Sequence, residues 1–231
     1  MSKLLASLRA RLSPGDYFSL ELALGVLVLL AAAALFGAVA QDVVAGGPLT
    51  QLDLRVANWL QAHSSPALTA AMLALSRLHG TVPVLIAAGM LALFFAARRQ
   101  WLRSGMTLLV LPGGMLLNVA VKQVFARDRP SFEHPLVTLS TYSFPSGHVV
   151  AATLLYGLLC ALLFARGARW RWRVLCGLLG LLIVAMVAFS RMYLGAHYLS
   201  DVIAAFAEGV IWLMLTQPGS RRWRQEPPQR R

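Results

Sequence analysis

Three short strings in the C-terminal half of the chain hold most of the groups that could do chemistry. They are KQVFARDRP, with Lys122, Arg127, Arg129 and Pro130; PSGH, Pro145 to His148; and SRMYLGAHYLSD, with Ser190, Arg191, His197 and Asp201. Each has an ordinary explanation by itself. Basic residues at the end of an apolar run anchor lipid headgroups, Ser146 makes a good N-cap for a helix start, and a His and an Asp four apart share one helix face. Together they converge on a phosphate. A phosphate ester carries up to two negative charges that repel a nucleophile, and its hydrolysis has one of the highest uncatalysed barriers in biology. Lys122, Arg129 and Arg191 would offset that charge, the arginines through forked hydrogen bonds. Gly147 admits a close approach of backbone, and the free N–H groups at the helix start add donors under a favourable dipole.

Within such a cradle the two histidines divide the work. Asp201 follows His197 by one helical turn, so its carboxylate can take the proton on one ring nitrogen and leave the other with a lone pair aimed at phosphorus. His197 is then the nucleophile. His148, across the phosphate, can protonate the departing oxygen and later activate the water that cleaves a phosphohistidine. A histidine at the mouth of the apolar run that follows it fits a leaving group arriving at a membrane surface.

The elements that must position these residues are membrane spans. Hydrophobic residues make up 58% of the 231 and charged ones 13%, and the mean hydropathy is +0.66, outside the range of a soluble domain. Six runs approach the roughly 20 apolar residues that a span needs: Phe18 to Ala40, Thr81 to Ala97, Ser104 to Val121, Val149 to Ala165, Leu175 to Phe189 and Leu199 to Leu215. The basic residues orient them. Lys3, Arg9 and Arg11 precede the first run; Arg98, Arg99 and Arg103 join the second to the third; Arg166, Arg169, Arg171 and Arg173 join the fourth to the fifth; Arg221, Arg222, Arg224, Arg230 and Arg231 follow the sixth. All four clusters fall on one side, the cytoplasm by the positive-inside rule, so both termini are inside. Lys122, Arg127, Arg129 and Arg191 are left at the outer ends, and parity brings the three strings to that one face.

Most of the net charge of +12 sits in these turns and ends, which argues against a nucleic-acid partner. Ala38-Val39-Ala40 imitates a signal-peptidase site, but the apolar run before it is longer than the about 7 to 15 residues of a signal core. Cys160 and Cys176 lie inside runs as packing residues and imply no disulfide framework. Between the first two runs, Leu52, Val56, Trp59, Leu60 and His63 recur at helical spacing, with Asp53, Arg55, Asn58 and Gln61 between them. This predicts an outer interfacial helix that packs and anchors, followed by a second helical stretch after Pro66. The expected fold is therefore all-α and polytopic, six transmembrane helices plus interfacial helices on the outer side. Residues 1–231 read as a single membrane-embedded domain: 1–17 a cytoplasmic N-terminus, 18–217 a six-span core and 218–231 a disordered basic tail.

The joint pattern of Lys122, six residues, Arg129-Pro130, then Pro145 to His148, then Ser190-Arg191, five residues, His197, three residues, Asp201 is similar to the signature of the type 2 phosphatidic acid phosphatase superfamily. The motifs cover Lys122 to Asp201, and the six-run layout extends the resemblance along the chain. The resemblance implies a lipid phosphatase without metal or other cofactor, its site on the outer side of a bacterial inner membrane, facing the periplasm or exterior. Its roles fall on His197, His148 and Asp201 for catalysis and on Lys122, Arg129, Ser146, Gly147 and Arg191 for the phosphate, with Arg127 matching a frequent variant. His148, His197 and Asp201 could instead ligate zinc, but three nearby cations would repel it. The related vanadium haloperoxidases are soluble, unlike this chain. Substrates in the resembling bacterial proteins include undecaprenyl pyrophosphate, phosphatidylglycerol phosphate, phosphatidic acid and lipid A phosphates, and a lipid-to-lipid phosphotransferase or a non-catalytic lipid binder are the other classes. Only the short outer loop Ser131 to Phe144 could shape that choice. Glu208, the acidic residue well inside the sixth run, falls on the helical face of His197 and Asp201 about 10 Å deeper. It is expected to point into the bundle beneath them, as an auxiliary that orients Arg191 or shapes the lipid entrance.

Overall fold

The computed structural model describes residues 14–133, 135–165, 167 and 169–216; Lys3, Arg9, Arg11, Arg166 and the predicted tail 218–231 lie outside them. Among the described residues the chain is all helical. In order it forms α1 (Pro14–Ala45), α2 (Pro48–Ala62), α3 (Pro66–Leu78), α4 (Thr81–Ala97), α5 (Trp101–Leu108), a π-helical turn (Leu109–Gly113), α6 (Gly114–Phe125), α7 (Gly147–Ala165), α8 (Trp170–Tyr193) and α9 (Leu199–Thr216). Six stretches are long and apolar enough to cross a membrane: Leu22–Ala45, Pro66–Ala97, Trp101–Phe125, Gly147–Ala165, Trp170–Tyr193 and Leu199–Thr216. Their outward faces carry large apolar side chains, such as Ile86, Met90 and Leu93 on α4 and Leu178, Leu181 and Leu182 on α8. Lipid satisfies such surfaces, whereas water would not.

Two expectations change. The stretch after Pro66 is separated from α4 only by His79 and Gly80, so α3 and α4 together make one candidate span of 32 residues rather than an interfacial helix plus a span. On α2 the inward face is Asp53, Ala57 and Leu60, while Trp59, predicted to share the apolar stripe, is 60% exposed and stacks on His63. The reason is polar. A buried partner for Asp53 turns the helix so that its carboxylate, not its largest aromatic, faces the protein. The Asp42 carboxylate at the end of α1 starts α2 by accepting the N–H groups of Leu49 and Thr50, at 3.2 and 2.9 Å.

The central core joins α4, the π turn, α7, α8 and α9 through Val84, Leu111, Leu154, Leu158, Val187 and Val202. Helix α9 approaches α7 closely at Gly209, where a Cβ would stand 2.7 Å from the Thr153 methyl. An alanine there would force the helices apart, at a cost of about 1–3 kcal/mol. Pro112 lacks an N–H and clashes with the preceding turn, and the π turn relieves that clash. Trp212 of α9 covers this stretch, donating its Nε1–H to the Val110 carbonyl at 3.1 Å. The thiols of Cys160 and Cys176 are free and lie 2.9 Å apart between α7 and α8.

A second cluster packs α1 on α9 through Val39, Ala40 and Ala204 and encloses Phe144. The Phe144 ring is fully buried between Phe125 and Phe36, with centroids 4.8 and 6.0 Å away. That wedge pins the turn into α7. At the opposite ends of the helices Trp101, Trp170 and Trp172 are exposed beside Arg98, Arg99, Arg103, Arg169, Arg171 and Arg173, an aromatic and basic girdle.

Candidate active site

The ends of α6, α7, α8 and α9 meet at the face opposite that girdle, and there the three sequence strings come together. Lys122, in the last turn of α6, is buried and donates Nζ–H to the carbonyls of Tyr142 and Ser143, at 2.8 and 3.1 Å. The chain leaves α6 through Ala126 in the left-handed region (φ +44°) and brings Arg127 and Arg129 back across the site.

His197 precedes α9 and is 3% exposed. Its Nε2 lies 3.2 Å from Arg129 Nη1, and its Nδ1 lies 3.4 Å from Asp201 Oδ2. A guanidinium nitrogen can only donate, so Nε2 must be the acceptor and Nδ1 must carry the hydrogen, directed at Asp201. The lone pair of His197 thus points into the cationic pocket. Burial pushes the imidazole down to about 3 and Asp201 offsets this only in part, so the ring is neutral at ordinary pH.

Asp201 is fully buried and saturated. Oδ2 accepts from Tyr198 N at 2.8 Å and from the Ser143 hydroxyl, and Oδ1 accepts Arg127 Nη1–H at 2.7 Å. Arg127 also reaches Asp53 of α2 at 2.9 Å and lies over the Tyr198 ring. Burial works against its charge, but Asp201 and Asp53 together hold the guanidinium above its ordinary value.

Arg129 departs from the expected phosphate fork. All five of its N–H groups are directed at protein acceptors: the carbonyls of Thr141, Tyr142 and Ala196, the Thr141 hydroxyl and His197 Nε2. It secures the loop and covers His197 Nε2. Arg191, in the last turn of α8, donates to the Ser76 hydroxyl of α3, and its Nε is buried with no protein partner among the described residues. Tyr193 braces this arrangement by accepting the Ser65 N–H at the start of α3, 2.8 Å away.

Ser146 is fully buried and its Oγ has no partner among the described residues, so it does not cap α7; its N–H instead donates to the Asp201 carbonyl at 3.1 Å. Gly147 leaves room for Asn118, whose Oδ1 would stand 3.2 Å from a Cβ there. His148 faces the joint between α3 and α4, with Nε2 beside Gly80, and is within electrostatic reach of Arg191, His197 and Arg129. The joint is itself fixed by His79, whose Nε2 pairs with the Tyr156 hydroxyl at 2.8 Å.

Glu208 points into the bundle as expected but does not touch Arg191. Its Oε2 accepts from Asn118 Nδ2 at 2.9 Å, and the same amide lies 3.4 Å from the Pro145 carbonyl. Glu208 therefore supports the PSGH turn from below through Asn118. Glu208→Gln is expected to keep the fold, since the partner bond survives, and to alter turnover modestly. Glu208→Leu strands the amide and is expected to lower stability by about 1–3 kcal/mol. Thermal melts of the two variants in detergent check this; equal melting temperatures would show that the bond carries no weight.

Sequence reasoning missed Asp53, Ser76, Asn118, Ser143 and Ser200. Asp53 alone left a signal, since Asp53, Ala57 and Leu60 are spaced to share one helix face.

A model of the PAP2 superfamily matches residues 100–224. Over 140 residues the chain is 34% identical to phosphatidylglycerophosphatase B of Bacillus subtilis, covering 58% of this chain and 64% of that protein. Over 100 residues it is 33% identical to the undecaprenyl-diphosphatase of Sulfolobus acidocaldarius, covering 41% of this chain and 44% of that one. The chain thus matches less than two thirds of the length of these relatives. The crystal structure of the transmembrane PAP2-type phosphatidylglycerolphosphate phosphatase from Bacillus subtilis superposes with a TM-score of 0.70 at 25% identity, over 89% of this chain and 98% of that one. Aquifex aeolicus LpxE shares the fold, with a TM-score of 0.55 at 19% identity over 72% of this chain and 95% of that one.

Proposed function

This chain belongs to the PAP2 superfamily, and from that premise we propose that it is a metal-independent lipid phosphatase hydrolysing a phosphate monoester or pyrophosphate headgroup. The observation that carries the reading is the His197 tautomer: a neutral, buried imidazole with its lone pair directed into a pocket of basic side chains. Only an electrophile of high negative charge suits both features.

In the proposed reaction the phosphate is held by Lys122, Arg129, Arg191, the Ser146 hydroxyl and the N–H groups at the start of α7. Ser146 Oγ and Arg191 Nε, buried without partners among the described residues, are the natural ligands for its oxygens. On binding, Arg129 transfers an N–H from His197 Nε2 to a phosphate oxygen and uncovers the lone pair. Nε2 then attacks phosphorus, the bond to the lipid oxygen breaks, and His148 gives that oxygen its proton. Water next attacks the phosphohistidine and yields a proton to His148, the P–N bond breaks, and inorganic phosphate leaves. Asp201 holds Nδ1–H throughout and balances the imidazolium charge.

The basic and aromatic girdle supports a cytoplasmic assignment for the opposite end, with the site at the outer surface of a bacterial inner membrane and both termini inside. An amphiphile whose headgroup lies at that depth is the substrate class, with phosphatidylglycerol phosphate, phosphatidic acid, lipid A phosphates and undecaprenyl pyrophosphate as members. The residues involved come from α6 to α9 and their connections, and Asp53 of α2 and Ser76 of α3 brace them, which supports a single membrane-embedded domain. Release of inorganic phosphate by purified protein in detergent, across a panel of these lipids, tests the reading. Phosphate moving only to a second lipid would establish the phosphotransferase instead, and binding without turnover would establish a lipid binder.

Activity is expected to persist in excess EDTA, because Lys122, Arg129 and Arg191 already supply the charge that a metal would otherwise bring. Strong inhibition reversed by zinc or magnesium would overturn the metal-free mechanism.

A further inference from the structure

Asp53 lies outside every sequence motif, yet it is 1% exposed and fully engaged. Its Oδ1 accepts the Ser200 N–H at 2.9 Å, and its Oδ2 accepts the Ser200 hydroxyl and Arg127 Nη2–H. Arg127 turns its other terminal nitrogen to Asp201. One guanidinium is therefore shared between two buried carboxylates, and only the second of them serves His197.

We propose that Asp53 is a positioning residue of the active site: it neutralises Arg127, so that the charge of Asp201 remains available to His197. This rests on the hydrolytic reading given above. In a region sheltered from water, charge left unbalanced is costly. Arg127, Asp53 and Asp201 sum to one negative charge, which balances the positive charge that forms on His197 as Nε2 bonds to phosphorus. Without Asp53 the remaining pair is neutral, and the imidazolium forms beside Arg129 and Arg191 with no net counter-charge behind it on the protein side. Helix α2 thereby completes the nucleophile from outside the helices that bear the motifs.

A merely structural role is the alternative, because Asp53 also caps the start of α9 through Ser200. Asp53→Asn separates the two: it keeps the shape and an acceptor for Ser200 but loses the charge. The assay is phosphate release from dioctanoyl phosphatidic acid in detergent micelles by full-length protein, with size-exclusion profiles as the check on folding. D53N is expected to lower kcat about tenfold with KM within about twofold, since the deficit falls on the reacting state. The double variant D53N/R127Q, with both charges removed, is expected to recover at least about threefold over D53N. A structural contact would be rescued together with the folding profile, so kcat recovered while the size-exclusion profiles of all three proteins stay the same marks the role as one of charge.

Wild-type kcat in D53N, or a double variant no faster than D53N, overturns the proposal. Should D53N fail to fold, the double variant carries the test alone: turnover above about a tenth of wild type is expected, and a folded but inactive double variant overturns it. Wild-type protein that releases phosphate from none of the lipids overturns the hydrolytic reading and this inference with it. Wild-type release with the wrong variant pattern overturns this inference alone.

Discussion

Replacing His197 with alanine is expected to abolish turnover, lowering kcat by about 10⁴-fold or more, the scale of losing a covalent nucleophile. Binding of an unreactive phosphate mimic such as vanadate should survive. The separation follows from the proposed roles: His197 would supply the lone pair, while Lys122, Arg191, Ser146 and the start of α7 would surround the anion. Arg129 keeps its contacts to Thr141, Tyr142 and Ala196 when the imidazole is removed, so the loop stays in place. The check is competition of vanadate against a fluorescent lipid phosphate, beside the rate measurement. Binding and rate lost in equal measure would make His197 a structural residue.

The second large effect depends on the leaving group. An alkoxide leaving from a lipid monophosphate needs a proton, and general acid catalysis contributes about 10²–10⁴-fold, whereas a departing phosphate is a far weaker base. His148→Ala should therefore reduce cleavage of phosphatidic acid by about that factor and cleavage of a prenyl pyrophosphate by clearly less. The variant is suited to the comparison because the turn below it is held independently, by Phe144 in its aromatic cage and by Asn118. Equal losses on the two substrates would remove His148 from the acid role.

The spans and the meeting of the three strings could be read from the sequence because both follow from local properties. Hydrophobic run length marks a span, and the alternation of sides with each span decides which loops share a face. Gly147–Ala165 and Leu199–Thr216 differ from the predicted runs by only a few residues at their ends. What could not be read was set by orientation about a helix axis and by long-range polar pairing. Trp59 dominated the pattern of α2 by size, yet the buried pairing of Asp53 with Arg127 and Ser200 outweighs its burial. Arg129 was expected to fork onto the anion, but the carbonyls of Thr141 and Tyr142 also take its N–H groups. The case of Glu208 divides in the same way: its angular position on α9 was predictable from 100° per residue, but its partner Asn118 was not, because that amide sits on another helix.

The bond between Asp53 and Ser200 joins residues 147 positions apart. A ribosome adding about 5–20 residues per second needs roughly 7–30 seconds to travel that distance, and the last membrane helix must be inserted before Ser200 can reach α2. Throughout that interval Asp53 has no α9 to face, so α2 is best kept among the headgroups until the chain is nearly finished. A nascent polypeptide that stops short of α9 accordingly holds Lys122, Arg127 and Arg129 without His197 and Asp201. On the proposed mechanism, such a partial product would be inert toward the phosphates of the membrane into which it is being threaded.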